Sequence, residues 1–485
     1  MNYIKLTTVV LFSIFSVLYS CKGPAEAENE EVVVHAVTDL SHEFSFYADN
    51  RFHQQYLPDG KGVTNWCNLY NFDFSNANLL ILLSCDDRLQ YTDEDIKTIQ
   101  DFLTEGGGVV IMGTENGISQ NKLLDIFGAS CTGPAQYPLA ATEKVKAETV
   151  EGKGAAIFKL DQSNRWDILV QDAAEQPVMA KRKVGKGTLL VSSRALAGNH
   201  PSARDSINKV IWRPLLKDIV SGKKVDEEKE FHGRGIDQLE YNEDHGTFNL
   251  SFNDYMKPYA NSMVDVYKRS FPYIENRMGV SLSPGMASQI TLLATGGGGF
   301  SSGKVVALAV WWGGFPERED SMIEFLTHES VHSWVLPFAE VWNEPIATYV
   351  GNLVMMDMGY EEEGMRRIQR TIERALKHDP SMKNYDIRGN LTGTGDELDK
   401  GAKNNIHWGK TYWVFEQLRS ENPDFLADYF RLKRKHATKE NITKYDMNNT
   451  VALLSMAMGK DLFSWFNEHG MEVDRSKAEI RIEKN

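Results

Sequence analysis

His328, Glu329 and His332 stand in the order His-Glu-x-x-His, within the run Asp320-Ser-Met-Ile-Glu-Phe-Leu-Thr-His-Glu-Ser-Val-His-Ser-Trp. Two imidazoles four residues apart lie about 40° apart around a helix and one turn along it, so both can reach one ion. A glutamate projecting beside them can reach water on that ion without becoming a ligand, which is what a general base for hydrolysis needs. Imidazole and carboxylate donors point to Zn2+, which keeps an open fourth position when it is catalytic. The third donor is found in Trp342-Asn343-Glu344-Pro345-Ile346-Ala347-Thr348-Tyr349, where Glu344 falls near the start of a second helix. A turn at Pro337 folds that helix back on the first, completing a His2Glu set of His328, His332 and Glu344 with Glu329 as the catalytic carboxylate. Glu340 is the rival third ligand, but it falls in the turn, where a solvated or capping charge needs no metal. Glu324, one turn before His328, reads as either a supporting or an exposed carboxylate.

Several elements must hold these residues. Met322, Ile323, Phe325, Leu326, Val331 and Trp334 recur at helical spacing, which predicts an amphipathic helix ending before Pro337. Asn343 suits the N-cap of the next helix, and Pro345 fits its first turn. Upstream, residues 260–278 predict a helix. The apolar runs 290–294 and 305–312 predict antiparallel strands joined by a loop containing Gly296 to Gly299. The second of these strands offers a place for extended substrate to add as a further strand, with Trp311 and Trp312 shaping the cleft. Downstream, His407 and Tyr412 share a predicted helix with Trp413, Phe415 and Leu418.

Together these motifs resemble the gluzincin metallopeptidases, in which HExxH is followed by a glutamate ligand on a neighbouring helix. Residues 343–349 are close to the aminopeptidase and thermolysin-like form of that second motif, and the resemblance extends from about residue 246 onward. It implies zinc-dependent peptide-bond hydrolysis, with a downstream histidine or tyrosine steadying the oxyanion; His407 is preferred to Tyr412. Only eleven residues separate His332 from Glu344. That gap falls within the range of the enhancin-like and mucin-degrading branch, which implies protein or glycoprotein substrates. No Gly-x-Met-Glu-Asn motif is present to bind a free amine, which favours endopeptidase over exopeptidase action.

The first part of the chain has a different texture. Apolar runs at 79–84 and 109–112 flank a helical pattern at 92–104, the order of a parallel sheet, and residues 32–220 are expected to form a three-layer α/β domain. Residues 91–112 and 185–191 resemble the class I glutamine-amidotransferase-like fold. Glu115 stands where active members carry a cysteine nucleophile, so this domain is expected to bind or position and not to catalyse. His35, His42 and His53 lack helical pairing and read as surface or loop histidines. Cys67, Cys85 and Cys131 match no disulfide or zinc pattern. The charged run 221–235 is expected to link this domain to a mixed α+β, mainly helical second domain at 236–485.

The ends and the composition bound the setting. Residues 1–20 have the charged start and apolar run of an export signal. Leu18-Tyr19-Ser20-Cys21 resembles the lipobox of bacterial lipoproteins, which implies acylation at Cys21, a tether over residues 21–31 and display at the outer membrane or cell surface. A net charge of -14 disfavours nucleic acid as a partner. The expectation is a lipid-anchored zinc endopeptidase. The competing expectation is a catalytically silent binding protein for glycan or protein that keeps the peptidase fold as a scaffold.

Overall fold

Residues of alternating direction build the first sheet. In the computed structural model, which describes residues 32–42, 56–57, 60–83, 91–114, 118–161, 165–197, 208–220, 222–293, 299–309, 316–335 and 338–481, the chain begins with β1 (His35–Asp39), β2 (Lys61–Asn65) and β3 (Leu79–Leu82). It continues through α1 (Asp93–Thr104), β4 (Gly108–Gly113), α2 (Ile118–Ile126), β5 (Ala129–Pro134), β6 (Ala140–Ala141), β7 (Ala156–Leu160), β8 (Asp167–Gln171), β9 (Pro177–Val184), β10 (Gly187–Ser193) and α3 (Lys209–Ile219). Eight strands form one sheet in the order β2-β1-β3-β4-β10-β9-β8-β6, parallel from β2 to β10 and antiparallel beyond.

Val37, Leu80, Leu82, Val109 and Ile111 join a core with Ile99, Phe102 and Leu103 of α1. Their neighbours Ala36, Leu79, Ile81, Val110 and Met112 join a second core with Trp212, Leu215 and Leu216 of α3. The two-residue period therefore sorts one set of strands onto two helical layers, giving the expected three-layer α/β arrangement. α1 starts where the sequence places it, because Thr92 and Asp95 close a capping box, with Thr92 N donating to Asp95 Oδ2 at 2.8 Å.

Two histidines depart from expectation. His35 and His42 are buried, not surface residues. His35 Nδ1 donates to Asn76 O at 2.9 Å, and its ring stacks on Phe231. His42 lies between two carboxylates, with Nδ1 3.0 Å from Asp39 Oδ2 and Nε2 at an ion-pair distance of 3.4 Å from Asp95 Oδ2. Tyr255, from the second half of the chain, donates to Asp95 Oδ1 at 2.6 Å and closes this cluster. His53, Cys21, Cys85 and Glu115 lie outside the described residues. Cys67 is a free, buried thiol and Cys131 a free, half-buried one. Residues 222–235 of the charged run lie along the first sheet: Lys61 Nζ donates to Glu227 O at 2.6 Å, and Arg234 forms a parallel bridge with Asn65.

A second sheet follows, with β11 (Tyr241–Asp244), β12 (Asn249–Phe252), β13 (Gln289–Leu293), β14 (Gly299–Ser301) and β15 (Val305–Ala309) in the order β11-β12-β13-β15-β14. β13 and β15 pair in parallel, not antiparallel as the sequence suggests. The short β14, antiparallel to β15, takes the edge and turns the chain so that β15 enters the sheet in the direction of β13. β15 is thus paired on both sides, and β14, not β15, is the strand available for addition.

Helices α4 (Lys257–Met278), α5 (Glu319–Trp334), α6 (Asn343–Asp357), α7 (Glu361–Leu376), α8 (Lys400–Glu421) and α9 (Phe425–His436) cover this sheet around one core running from Phe248 to Ile480. The second half is therefore mixed α+β and mainly helical, as expected. α5 and α6 approach closely at Gly351, where a Cβ would stand 2.7 Å from Glu324 O. No helix among the described residues is long and apolar enough to cross a membrane.

Candidate metal centre

The apolar positions of α5 fix its orientation. Met322, Ile323, Leu326, Val331 and Trp334 are buried, which turns His328 and His332, each only about 15 % exposed at the side chain, towards α6. Asn343 is not the N-cap of α6: Trp342 holds that position, and the Asn343 side chain makes no cap bond. Asn343 Oδ1 instead accepts from His332 Nδ1 at 3.1 Å. One helical turn beyond Glu344, Thr348 Oγ1 lies 2.7 Å from His328 Nδ1. Both Nδ1 atoms are thereby engaged by α6, and both Nε2 atoms are turned to the same point.

The two Nε2 atoms are 3.3 Å apart. Glu344 Oε2 lies 3.2 Å from His328 Nε2, and Oε1 lies 3.8 Å from His332 Nε2. Two nitrogens each about 2.0–2.1 Å from one ion at the tetrahedral angle stand about 3.4 Å apart. The three donors therefore have the spacing of one face of a tetrahedral zinc site. His328, Glu329 and His332 also form a compact donor group within 4.8 Å. The two glutamates differ in setting: Glu344 is half exposed with both oxygens towards the imidazoles, whereas the Glu329 carboxylate is buried against β14. Glycine is required there: a Cβ on Gly299 would meet Glu329 Oε1 at 2.9 Å and Ala307 O at 2.7 Å.

The electrostatics separate the two glutamates. Burial raises the Glu329 pKa; the charge of His328 opposes this and those of Glu344 and Glu324 add to it, leaving it pushed up to about 7. Glu344 is held below the usual carboxylate range, first by its bond with His328. For His328, burial lowers the pKa, but Glu344, Glu329 and Glu324 outweigh it and the net shift is upward. His332 shifts downward through burial and the neighbouring His328 charge. One carboxylate is thus kept charged beside the imidazoles, and the other is poised near neutrality beside them. A cleft of about 480 Å³, bordered by β14, His328, Glu329, His332 and Glu344, opens onto this group.

The remaining expected residues fall around the cleft. His407, on the second turn of α8, donates from Nδ1 to Ile387 O at 3.0 Å and is close enough to Glu344 to feel its charge, but it borders a neighbouring cavity and not the cleft itself. Tyr412 is buried, with its hydroxyl 3.4 Å from Asn352 Nδ2, and does not border the cleft. Glu340 is no solvated turn residue: it is buried in an ion pair with Lys433 and accepts from Tyr429 OH at 2.8 Å, which removes it from any metal. Glu324 is half-buried and faces Arg367 at 3.6 Å. Sequence reasoning quoted Asn343 and Thr348 in the second motif but gave neither a role towards the imidazoles. The four-residue step from Glu344 to Thr348 is the signal that puts Thr348 on the ligand face.

No family model matches the chain, and no curated protein matches it. Among solved structures, it is similar to LTA4 hydrolase of Saccharomyces cerevisiae in complex with bestatin, at 14 % identity and a TM-score of 0.35, over 48 % of this chain and 40 % of that one. It is also similar to the mmIFT52 N-terminal domain, at 14 % identity and a TM-score of 0.33, over 39 % of this chain and 99 % of that domain. The cytoplasmic protein STM1381 from Salmonella typhimurium LT2 matches at 10 % identity and a TM-score of 0.30, over 39 % of this chain and 99 % of that one. At such scores these likenesses are loose ones, and the chemistry of the site rests on its own geometry.

Proposed function

We propose that this chain is a zinc-dependent peptidase of the gluzincin type, acting as an exported, lipid-anchored endopeptidase on proteins or glycoproteins. The observation that carries the reading is the triangle of His328 Nε2, His332 Nε2 and Glu344 carboxylate, with edges of 3.3, 3.2 and 3.8 Å. When bound by these three residues, zinc supplies a Lewis acid that polarises a carbonyl and acidifies water.

The chain's own residues account for the rest. Asn343 and Thr348 keep each Nδ1 engaged, so each Nε2 keeps a lone pair for the ion. Glu329, poised near neutrality, takes a proton from water and passes it to the leaving amine. The outer edge of β14 borders the cleft and suits an extended peptide added as a further strand. His407, the sequence's candidate for meeting the oxyanion, is set back from this cleft in the neighbouring cavity. With Nδ1–H committed to Ile387 O, its Nε2 donates only as the imidazolium, a form that burial disfavours.

The test is zinc stoichiometry together with cleavage of plain and glycosylated proteins by the native chain and by Glu329→Gln. One zinc per chain and cleavage by the native form alone are expected. A metal-free native chain, or equal cleavage by both forms, sides with the silent binding protein. The anchor is tested separately: Cys21→Ser is expected to move the protein out of the membrane fraction.

A further inference from the structure

The chain that leaves α5 has little length in which to turn. Only eleven residues separate His332 from Glu344, and a helix C-terminus leaves its last carbonyls without partners inside the helix. α9 supplies the missing donors. Lys433 Nζ donates to Val335 O at 2.6 Å and to Phe338 O at 2.7 Å, and its third hydrogen goes to Glu340 Oε1. Arg434, the next residue, reaches Trp334 O at 3.4 Å. A cation at the end of a helix is favoured by the helix dipole, so α9 closes α5 by charge as well as by hydrogen bonds. Glu340 in turn accepts from Tyr429 OH at 2.8 Å, and neither Lys433 nor Glu340 has any side-chain surface exposed.

Both ends of this anchor stand next to the metal centre. Val335 comes three residues after His332 and Glu340 four before Glu344, and Val335 and Ala339 border the cleft itself. Asn343 and Thr348 hold the imidazole rings, and the backbone between α5 and α6 needs a hold of its own. We infer that Lys433 and Glu340 are positioning residues of the metal centre: by pinning Val335 and Phe338 they set where the chain turns, and so how closely Glu344 faces His328 and His332. The inference rests on the peptidase reading for the metal, and it concerns residues that touch neither metal nor substrate. A buried ion pair is weak evidence of stability, since neutral groups of the same volume often serve as well. What such groups cannot do is hold two carbonyls and a carboxylate from one atom.

The test compares the full native chain with the double substitution Lys433→Met and Glu340→Gln, which keeps the volume and removes both charges. The variant is expected to fold, and to bind zinc about 10–100-fold more weakly in competition with a chelator, the range for losing a residue that supports a ligand. Cobalt in place of zinc gives a spectroscopic readout: the visible bands of the cobalt-loaded chain report ligand geometry and are expected to shift in the variant. A pair that only supports the fold would lower the melting temperature and leave both metal readouts of the folded chain unchanged, and that result overturns the inference. A second measurement needs no variant. Because coupling is reciprocal, zinc is expected to slow amide hydrogen exchange of the native chain at residues 338–342 and 429–433, and exchange there that ignores zinc also overturns the inference. A native chain that takes up neither zinc nor cobalt overturns the peptidase reading and this inference together, whereas zinc bound equally by both forms overturns the inference alone.

Discussion

Two clusters of histidine and carboxylate occur in this molecule, and they are built to opposite ends. Around His42, Asp39 and Asp95 each take one side of a single imidazole, while Ser41, Thr92 and Tyr255 fill the remaining carboxylate positions. The cluster is sealed, with His42 only 1 % exposed. Around His328 and His332, two imidazoles present Nε2 to a shared point, and Glu344, 56 % exposed at its side chain, faces the same point across an open cleft. The first cluster commits its one imidazole to its own carboxylates. The second leaves a place for a cation, because two imidazole nitrogens and a carboxylate converge on one point at an open cleft. Composition is therefore a poor guide to function here, and the direction of the nitrogens is a good one.

The largest effect expected from breaking this contrast comes at the open cluster. His332→Ala removes a ligand and is expected to abolish both zinc binding and cleavage, read by metal analysis and peptide hydrolysis on the same preparation. Glu329→Gln keeps the ligands and is expected to lower kcat by about 10²–10⁴ with zinc content unchanged; a parallel fall in zinc would make Glu329 a ligand. At the sealed cluster, His42→Gln leaves two buried carboxylates without their cation and is expected to cost about 3–5 kcal/mol in chemical denaturation, with zinc per folded chain unaltered.

Smaller effects sharpen the comparison. Thr348→Val or Asn343→Ala frees one imidazole from its support and is expected to weaken zinc about 10–100-fold in competition with a chelator. The smallest is a slope. Burial lowers the pKa of His42, but Asp95 and Asp39 more than reverse this and hold it at about 9, above its ordinary 6.5. A pKa raised on folding stabilises fully below the unfolded value and is lost as pH rises through the folded one. Stability is thus expected to fall between about pH 6.5 and 9, by no more than about 1.4 kcal/mol per pH unit from this group, and His42→Gln is expected to flatten that slope.

Much of the site was legible because its signals are local. The four-residue step between His328 and His332 holds in any helix, and Glu344 near the start of the next helix needed only a fold-back to meet them. The helical run at 92–104 was readable for the same reason, and the structure closes its start with a Thr92–Asp95 capping box. The misreadings were of long-range facts. The parallel pairing of β13 with β15 depends on β14 taking the edge, and the burial of His42 depends on Tyr255, more than two hundred residues away. Asn343 looked like a cap because caps are local; its amide turned instead to an imidazole that only tertiary packing brings near.

By itself, then, the sequence determined which side chains share a helix face, because periodicity along the chain is a property of neighbours. It was enough to place two imidazoles and a carboxylate on α5, to begin α6 near Glu344, and to sort the apolar residues of the first sheet onto two faces. Only the tertiary structure decided which histidines are sealed and which are open, and that Glu340 belongs to Lys433 while Glu344 is left for the imidazoles. Those outcomes depend on which partner arrives from a distant segment, and a buried charge takes the partner that packing delivers to it.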